Sequence, residues 1–243
     1  MAKLYNGSSK GFEQVADGFV DYSIEVGINR AFASVVDGLK TSQRRVVFVL
    51  DKEKVYKPTK STKAVGYVLA YHPHGDDAIY ETACRMVDSN GSVTPPLLKG
   101  EGHLGVSHSD SSPADKRYTS MWLLESARDL FLQDMDGVPW KPTETDEGLE
   151  PVYLPARFPM ALTASVQGMG VGIANKIPSF NFADVLKLTK EYIADGCKFN
   201  NQIIYPDLPN GGIVVANNAE MAKIMATGRG QIKSKSRVSV NKR

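Results

Sequence analysis

The hydrophobic positions of the first 140 residues recur at helical spacing, in short stretches separated by turn-forming residues. An imperfect apolar stripe covers residues 19–32, and two shorter stretches end near residues 50 and 69. Each shorter stretch follows side chains that can cap a helix, namely Thr41, Ser42 and Ser61. Short helices joined by tight turns are typical of a helix-turn-helix or winged-helix module.

Turn-forming residues also organise the remainder of this half. Pro73 ends the third apolar stretch, and a further helix is expected from about Gly75 to Val87. Residues 90–116 are rich in Gly, Ser and Pro, which predicts a loop or the wing of a winged helix. Residues 118–135 return to a helical pattern.

The pattern changes after residue 135, where prolines and strand-like segments appear. Five prolines between residues 136 and 159 indicate a linker or an irregular crossing. Residues 161–177 are strand-like and punctuated by glycine. Asn181 is a typical N-cap and Gly196 a typical C-terminal residue, so a helix is predicted over residues 181–195.

Together these patterns predict an α+β fold in two parts. Residues 1–140 are expected to form a helical, winged-helix DNA-binding domain, and residues 141–243 an α/β domain. In the second part, residues 213–216 and 232–240 are expected to be strands. Because the chain stops at a basic, strand-like segment, residues 231–243, we expect this second domain to be incomplete.

Charge distribution is more informative than net charge, which is only +2. Residues 40–63 hold eight basic and two acidic residues, and residues 228–243 hold six basic and none acidic. Residues 129–150 between them are acid-rich. Such segregation fits one basic face that binds a polyanion, although a solvated charge run fits the composition equally well.

The lack of a signal peptide or membrane span in this sequence and the spacing of its cysteines favour a reducing compartment. No stretch approaches the roughly 20 apolar residues of a membrane span, and the N-terminus lacks the apolar run of a signal peptide. Cys84 and Cys197 are far apart and lack zinc-site spacing, so we expect free, buried thiols. The expected location is the cytoplasm.

The His72-Pro73-His74 turn is the first candidate for chemistry, and three interpretations are open. Two imidazoles two residues apart can share a zinc ion, but no third ligand is near in sequence. They can also be structural histidines. Finally, beside the start of a helix they can bind phosphate together with backbone N–H groups, which fits the basic residues nearby.

Two other segments need a wider context. Residues 100–105 are glycine-rich but lack a following Lys-Ser/Thr, so they are not a nucleotide-binding P-loop and can be a simple glycine turn. Tyr118 follows Arg117 directly. A tyrosine nucleophile, whose phenol has an ordinary pKa of about 10, needs such a cation beside it, but most tyrosines are packing residues.

The order of several motifs carries a specific resemblance. They are Asp37-Gly38-Leu39-Lys40, Arg44-Arg45-Val46, Tyr71-His72-Pro73-His74-Gly75-Asp76, Gly100-Glu101-Gly102-His103-Leu104-Gly105, Arg117-Tyr118-Thr119 and Gly170-Val171-Gly172-Ile173-Ala174. Over about residues 18–230 the chain resembles the breakage-reunion region of the gyrase A family, the DNA-cutting subunits of type II DNA topoisomerases. Within the family it is most similar to the medium subunits of T-even-type phage enzymes.

The resemblance implies a catalytic role for five residues. Tyr118 corresponds to the tyrosine that attacks a phosphodiester and becomes linked to the DNA 5′ phosphate. Arg30 corresponds to an arginine supplied across the dimer, which stabilises the transition state. His72 and His74 correspond to histidines near the scissile phosphate, and Arg117 to a cation beside it.

The resemblance also implies DNA contacts outside the cleavage centre. Basic residues correspond to groups on the DNA backbone: Lys40, Arg44, Arg45 and Lys63. Met169 stands where the family carries an isoleucine that inserts between base steps and bends the DNA, a task that an unbranched Met can also perform. The second domain then corresponds to the family's tower-type α/β domain.

Several positions depart from the family pattern. Gln43 stands where bacterial members usually have a histidine. Asp77 replaces the serine that, with an acidic residue one turn later (here Glu81), anchors the metal bridge to quinolone drugs. The segment 65–71 is one residue shorter than in gyrase, which shifts the approach to the His-Pro-His turn.

The resemblance assigns Mg²⁺ and ATP to another chain. Family members use Mg²⁺ held by carboxylates of a separate module, and Asp134-Met135-Asp136 copies half of that motif without its strand context. We therefore expect no metal site on this chain, and a partner subunit that binds Mg²⁺ and hydrolyses ATP. Double-stranded DNA and a second copy of the chain are further expected partners, in the host cytoplasm if the protein is phage-encoded. The alternative is a non-catalytic winged-helix protein that binds or bends DNA.

Overall fold

The computed structural model describes residues 8–88, 93–106, 111–145, 148–198, 203–208 and 211–236, with side chains from residue 15 onward. Seven α-helices and nine short strands occur in these ranges, which confirms the α+β class. The helices are α1 (Ser8–Val26), α2 (Thr41–Lys52), α3 (Ser61–Leu69), α4 (Asp76–Val87), α5 (Glu125–Phe131), α6 (Phe182–Ala194) and α7 (Asn218–Thr227). The strands are β1 (Thr59–Lys60), β2 (Leu98–Glu101), β3 (Ser120–Leu123), β4 (Trp140–Pro142), β5 (Leu149–Pro151), β6 (Val166–Met169), β7 (Ala174–Ile177), β8 (Ile213–Val215) and β9 (Lys233–Lys235).

Helix α2 forms the centre of the core. Its residues 46–50 are all buried, and a helix that is apolar on every side must be surrounded by other elements. Helices α3 and α4 pack against it, and β3 packs on it as well. The predicted stripe over residues 19–32 is helical, but α1 gives way to a π-helical turn at Gly27–Ala31.

The predicted hydroxyl caps of α2 and α3 are wrong, although both helices are present. Lys40 precedes α2, and its N–H group donates to Oε1 of Gln43 over 2.9 Å. Ser61 is already the first residue of α3, and its hydroxyl accepts a hydrogen bond from Thr119, 58 residues away in the chain. In α3, a hydrogen bond with a residue distant in sequence therefore takes the place of the predicted capping bond.

The predicted helix over residues 118–135 is wrong over its first part, where β3 lies. Strand β3 is the centre of an antiparallel sheet of order β1–β3–β2, and only α5 is helical beyond it. Burial alternates along β3, with Met121 and Leu123 inside. In a four-residue strand this alternation is too short to stand out from the helical pattern that follows it.

Three two-stranded hairpins follow in the C-terminal part: β4–β5, β6–β7 and β8–β9. The first lies in the segment predicted as a linker, and Trp140 pairs with Pro151 across the expected boundary at residues 140 and 141. The apolar core also crosses that boundary, because Leu154, Phe158 and Phe180 belong to the same buried cluster as α2. The predicted linker is therefore part of the folded core.

The predicted helix near residues 181–195 is confirmed as α6. The Asn181 side chain accepts hydrogen bonds from the N–H groups of Ala183 and Asp184, and Gly196 has a φ of +69°. The strands predicted near residues 213–216 and 232–240 are present as β8 and β9, although residues 237–243 lie outside the described ranges.

Two further observations bear on the environment of the protein. Both cysteines are free, but only Cys84 is buried, so the expectation of two buried thiols is wrong for Cys197. Burial raises the pKa of the Cys84 thiol to about 11. Among the helices of the described ranges, none is long and apolar enough to cross a bilayer.

Candidate active site

Tyr118 is exposed at the end of a short turn that leads into β3. Its side chain is 69% accessible to solvent. The turn is closed by a hydrogen bond from the Tyr118 N–H group to the Asp115 carbonyl over 2.9 Å. The Arg117 guanidinium lies 5.3 Å from the centre of the tyrosine ring, a cation–π arrangement. A large ligand can therefore reach the phenol, and a cation accompanies it.

The backbone on both sides of Tyr118 is fixed by the first turn of α3. The N–H group of Ser61 donates to the Thr119 carbonyl over 3.1 Å, and that of Thr62 donates to the Lys116 carbonyl over 3.3 Å. The first N–H groups of a helix have no partner within the helix, so the turn that carries Tyr118 supplies acceptors that α3 lacks. The nucleophile candidate is an exposed side chain on a constrained backbone.

Three buried hydroxyl groups extend this support to α4. The hydroxyls of Tyr80 and Thr119 lie 2.9 Å apart, and Thr119 donates to Ser61 over 2.8 Å. Tyr80 also donates to the carbonyl of Ala114 over 2.7 Å. Burial raises the pKa of Tyr80 despite its bond to Thr119, so it stays a donor at neutral pH. Ser61, Thr119 and Tyr80 thus tie α3, the tyrosine turn and α4 together.

The glycine-rich segment packs directly against this support. Gly102 has a φ of +93°, and a Cβ atom there would lie 3.1 Å from the Thr119 side chain and 3.4 Å from the Tyr118 carbonyl. Glycine is therefore required for both conformation and close approach. The simple-turn interpretation is correct in shape, but the turn also supports the residues beside Tyr118.

Lys116 joins the tyrosine turn to the start of α4. Its ammonium group is hydrogen-bonded to Asp76 and donates to Asp77 over 2.8 Å. The hydrogen bonds that Lys116 donates to Asp76 and Asp77 raise its pKa to about 12. Asp77, at the position implied for drug binding, is thus already engaged by a lysine. Glu81, its implied partner, lies 3.6 Å from Arg85 on the exposed side of α4.

His72 is a neutral hydrogen-bond donor, held through one ring nitrogen. Its Nδ1 atom lies 2.7 Å from Nη1 of Arg45. A guanidinium can only donate, so Nδ1 must accept and Nε2 must carry the proton. Burial, together with the charges of Arg45 and His74, lowers the pKa of His72 to about 4. His72 can therefore offer an N–H group to a phosphate without carrying a charge itself.

Arg45 lies inside the protein, where it is paired with two carboxylates. Its Nε and Nη2 atoms donate to Glu150 over 2.6 and 2.8 Å, and Nη2 also donates to Glu144 over 3.0 Å. Burial opposes the charge, but the hydrogen bonds and charges of Glu150 and Glu144 prevail and raise the pKa of Arg45. Its side chain is 2% exposed.

Arg44 is also internal. It donates through Nε and Nη2 to Asp37 over 2.6 and 3.2 Å, and through Nη2 to the Leu39 carbonyl over 3.1 Å. Asp37 accepts further bonds from the N–H groups of Leu39 and Leu154. The predicted DNA contact does not fit either arginine, because both guanidinium groups are buried and committed to carboxylates. Arg44 and Arg45 instead hold distant segments together.

His74 is bound to one of the carboxylates that Arg45 contacts. Its Nε2 atom lies 2.7 Å from Oε2 of Glu144, and its ring meets the His72 ring edge-on with centres 4.9 Å apart. A zinc ion could reach only Nε2 of His72 and Nδ1 of His74, and the described residues form no group of three ligands that could hold it. The turn lies directly before α4, as the phosphate-binding interpretation requires.

Arg30 and Lys40 line a separate basic groove of about 310 Å³ together with Arg85. Burial, and then the charge of Arg85, lowers the pKa of Lys40. Arg85 lies nine residues after Asp76 on α4, which is about 13 Å along the helix. The groove lies toward the Arg85 end of α4, whereas Lys116 of the tyrosine turn is bonded at the Asp76 end. Sequence analysis missed Arg85, since one arginine late in a helix has no distinguishing pattern.

Met169 lies beside this groove, at the tip of the β6–β7 hairpin. It is 77% exposed. The hairpin packs closely on the π-helical turn, because a Cβ atom on Gly168 would lie 2.3 Å from the Ala31 carbonyl. Lys40 donates to the Gln167 carbonyl over 2.7 Å. The structure thus places Arg30 and Lys40 beside β6, the strand that carries Met169.

The remaining predicted residues are peripheral. Lys63 is exposed on α3, with its ammonium 5.7 Å from the centre of the Tyr67 ring. In the part of the chain that the structure describes, no three His, Cys, Asp or Glu residues cluster as a metal site requires. Asp134 is paired with Arg157 over 3.0 Å at the surface, so one carboxylate of the Asp134-Met135-Asp136 segment already has a cationic partner.

Comparison with known proteins identifies the family. A family profile that describes the A subunits of DNA gyrase and topoisomerase IV matches residues 30–243. The chain is 34% identical over 94% of its length to the DNA gyrase A subunit of Chlamydia pneumoniae, and 33% identical over 92% to the DNA topoisomerase 4 A subunit of Neisseria gonorrhoeae. The DNA gyrase A subunit of Staphylococcus aureus is 34% identical over 95%. The chain spans only 28%, 30% and 27% of these relatives, respectively. Since the profile and the relatives both cover nearly all of it, the chain belongs to the family of DNA gyrase/topoisomerase IV A subunits.

Proposed function

We propose that this chain is the DNA-breaking part of a type II DNA topoisomerase, an ATP-dependent enzyme that changes DNA topology. The observation that carries the proposal is an exposed Tyr118 on a backbone fixed by α3 and α4, with Arg117 against its ring. A nucleophile that joins to a long polymer must be accessible and yet held in place, and this combination supplies both properties. Within the family, the medium subunits of T-even-type phage enzymes remain the proposed subgroup.

The proposed reaction is a transesterification at a DNA phosphate. The phenolic oxygen of Tyr118 bonds to phosphorus, the bond to the 3′ oxygen breaks, and the phenolic proton is lost as the 3′ hydroxyl gains one. The product is a 5′ phosphotyrosine, and the reverse step reseals the strand. His72 offers its Nε2–H group to a phosphate oxygen as a neutral donor. Arg117 offsets developing negative charge.

Arg30 takes part from a second copy of the chain in this proposal. The groove that holds Arg30 lies at the Arg85 end of α4, whereas the tyrosine turn is bound through Lys116 to the Asp76 end. These two ends of α4 are about 13 Å apart along the helix axis, which favours an Arg30 that is supplied by a second copy. A dimer that pairs the groove of one copy with the tyrosine of the other would complete the centre.

A partner subunit supplies the remaining components. When Mg²⁺ is bound there, it stabilises charge on the phosphate and the leaving oxygen. We assign the Mg²⁺ ligands and the ATPase to the partner, because among the described residues no three His, Cys, Asp or Glu side chains form a cluster that could hold a metal ion. Double-stranded DNA is the substrate, and Met169 inserts between base steps to bend it.

The proposed architecture follows the same family. Helices α3 and α4 with the β1–β3–β2 sheet are the elements that a winged helix needs, and we propose this domain over residues 1–140. Residues 141–243 are proposed as part of a tower-type α/β domain. The β4–β5 hairpin then belongs to both, because Trp140 pairs with Pro151.

Trapping of a covalent adduct tests the proposal. The chain is incubated with duplex DNA, Mg²⁺ and the partner subunit, then denatured, so that the protein–DNA adduct can be measured. We expect an adduct with the unchanged chain, none with Tyr118→Phe, and full DNA binding by that variant. Tyr192→Phe, at a half-exposed tyrosine on α6, is the matched control and should form the adduct normally.

Three results would contradict parts of the proposal. An adduct that persists in Tyr118→Phe would exclude this tyrosine as the nucleophile. DNA binding and bending without any adduct would favour the non-catalytic DNA-bending alternative, for which the exposed Met169 is the supporting feature. Efficient Mg²⁺-dependent cleavage by the chain alone would exclude the assignment of the metal site to a partner.

A further inference from the structure

Glu144 connects Arg45 to the His-Pro-His turn, two parts of the site that sequence analysis treated separately. It lies in the β4–β5 hairpin and contacts Arg45 from α2 with one carboxylate oxygen and His74 with the other. Resting on the function proposed above, we infer that Glu144 is a positioning residue for DNA cleavage, which acts by fixing the orientation and tautomer of His74.

The geometry gives each carboxylate oxygen one donor. Oε1 accepts from Nη2 of Arg45 over 3.0 Å, and Oε2 lies 2.7 Å from Nε2 of His74. Arg45 cannot rotate away from Glu144, because its Nε and Nη2 atoms donate to Glu150 over 2.6 and 2.8 Å. The position of Glu144 is therefore set by a buried group, and Glu144 in turn sets the position of His74, whose ring is partly exposed.

The charge of Glu144 is maintained in this position. Burial alone would raise its pKa, but the hydrogen bond and charge of Arg45, with a smaller contribution from His74, bring the pKa below its ordinary value. An ionised carboxylate only accepts hydrogen bonds, so Nε2 of His74 must carry a proton. Nδ1 is then the ring atom left for DNA or for the attacking phenol.

The two histidines are therefore fixed through opposite ring atoms. Arg45 holds His72 through Nδ1, whereas Glu144 holds His74 through Nε2. Each ring keeps a different nitrogen for the reaction, and the edge-on contact between the rings limits how either can rotate. At metal sites, groups that orient an imidazole in this way change metal affinity or activity by about 10–100-fold when they are replaced, and we expect an effect of that order here.

Glu144→Gln is the informative variant, since it keeps size and shape. Arg45 and His74 lie against different oxygens of Glu144, and the amide has an oxygen in only one of these two positions, with an NH₂ group in the other. Arg45 is always a donor and will take the oxygen, which leaves the NH₂ group facing His74. Nε2 of His74 must then lose its proton, and the neutral ring changes to the Nδ1–H tautomer.

Adduct kinetics with Mg²⁺, duplex DNA and the partner subunit provide the first test. We expect Glu144→Gln to slow adduct formation at saturating DNA by about 10–100-fold, with the DNA dissociation constant nearly unchanged. Glu125→Gln, the same chemical change at an exposed residue of α5, is the control and should react at the normal rate. The double variant His74→Ala with Glu144→Gln should react no more slowly than His74→Ala alone.

Nitrogen-15 spectra of the histidines provide a test that does not need catalysis. The chain has only four histidines, so the His74 signals can be assigned by substitution. At about pH 8.5, where imidazoles are neutral, we expect the proton on Nε2 in the unchanged chain and on Nδ1 in Glu144→Gln. A purely structural role for Glu144 would not move the proton between ring nitrogens.

The outcomes separate this inference from the proposed function. Normal adduct formation by Glu144→Gln, an unchanged tautomer, or a further loss in the His74→Ala background would each overturn the role of Glu144 and leave the nucleophile assignment intact. Failure of the unchanged chain to form any adduct would overturn the proposed function, whereas the tautomer measurement would still decide how Glu144 and His74 interact.

Discussion

Removing the carboxylate of Glu150 tests the buried position of Arg45, where structure and sequence analysis differ most. In Glu150→Ala, Arg45 loses both of its hydrogen bonds to Glu150, of 2.6 and 2.8 Å, and keeps those to Glu144 and to Nδ1 of His72. Both side chains are almost fully buried. Breaking such a pair leaves an uncompensated buried charge, which typically lowers the free energy of unfolding by about 3–5 kcal/mol.

The retained bond to Glu144 places the expected loss at the lower end, about 3 kcal/mol. For a chain of this size that corresponds to a decrease in melting temperature of about 6–12 °C. Urea unfolding followed by circular dichroism measures the free energy, and a thermal melt checks the temperature. Glu150→Gln keeps one acceptor and the shape, so it should lose only about 1–2 kcal/mol.

One result would refute this reasoning and restore the expectation from sequence. If Glu150→Ala lowers the free energy of unfolding by less than about 1 kcal/mol, Arg45 can reach water when its partner is gone. In that case Glu150→Ala should also bind DNA more tightly, with a steeper dependence on salt, because a phosphate-binding cation has been released. Stability loss with an unchanged salt dependence supports the buried assignment.

Three further predictions concern other parts of the site. The pKa of His72 is lowered from 6.5 to about 4. Between these two pH values the unfolded chain binds more protons than the folded chain, so the free energy of unfolding should fall by up to about 3 kcal/mol as the pH decreases from 6.5 to 4. Urea titrations should show that His72→Asn, which keeps an acceptor for Arg45, loses this pH dependence. Gly102→Ala should slow adduct formation and cost about 1 kcal/mol or more in unfolding free energy, given its φ of +93° and the 3.1 Å approach to Thr119; normal values for both would mean that the turn adapts freely. Met169→Ala should reduce DNA bending measured by energy transfer between end labels, whereas Met169→Ile should retain it; equal bending in both would exclude insertion of this side chain.

Helices α1 to α6 could be predicted at least in part from apolar periodicity and turn-forming residues, whereas the sequence analysis does not identify α7 (Asn218–Thr227). Strand β3 could not be predicted in the same way. Its four residues are fixed by hydrogen bonds to β1 and β2, which are distant in sequence, and not by a local pattern.

The motifs identified which residues belong to the site, but their partners required the folded chain. The sequence suggests that the basic residues after Lys40 form an exposed face and that the acid-rich segment lies apart from it. In the structure, Glu144 and Glu150 of that acid-rich segment pair with Arg45. Segregation of charge along a chain is therefore no guide to segregation in space when a hairpin folds one segment onto the other.

Solvent exposure distinguishes the basic side chains that can contact DNA from those that cannot, and exposure cannot be derived from composition. Lys63 and Arg117 are exposed, whereas the adjacent pair Arg44 and Arg45 is buried. All four residues are equivalent in a charge count. The carboxylates of Asp37, Glu144 and Glu150, which lie outside α2, pair with the arginines that become internal.

The hydroxyl chain through Ser61, Thr119 and Tyr80 has a mechanical consequence. If a cut DNA end is attached to Tyr118 and then moved, the tension on the phosphotyrosine passes into the backbone at residue 118. From there it is shared between two helices through the Thr119 hydroxyl and the backbone bonds from α3. A force applied to the Tyr118 side chain would thus move α3 and α4 together as a rigid body. The DNA end would move with the domain, and the backbone around residue 118 would stay folded.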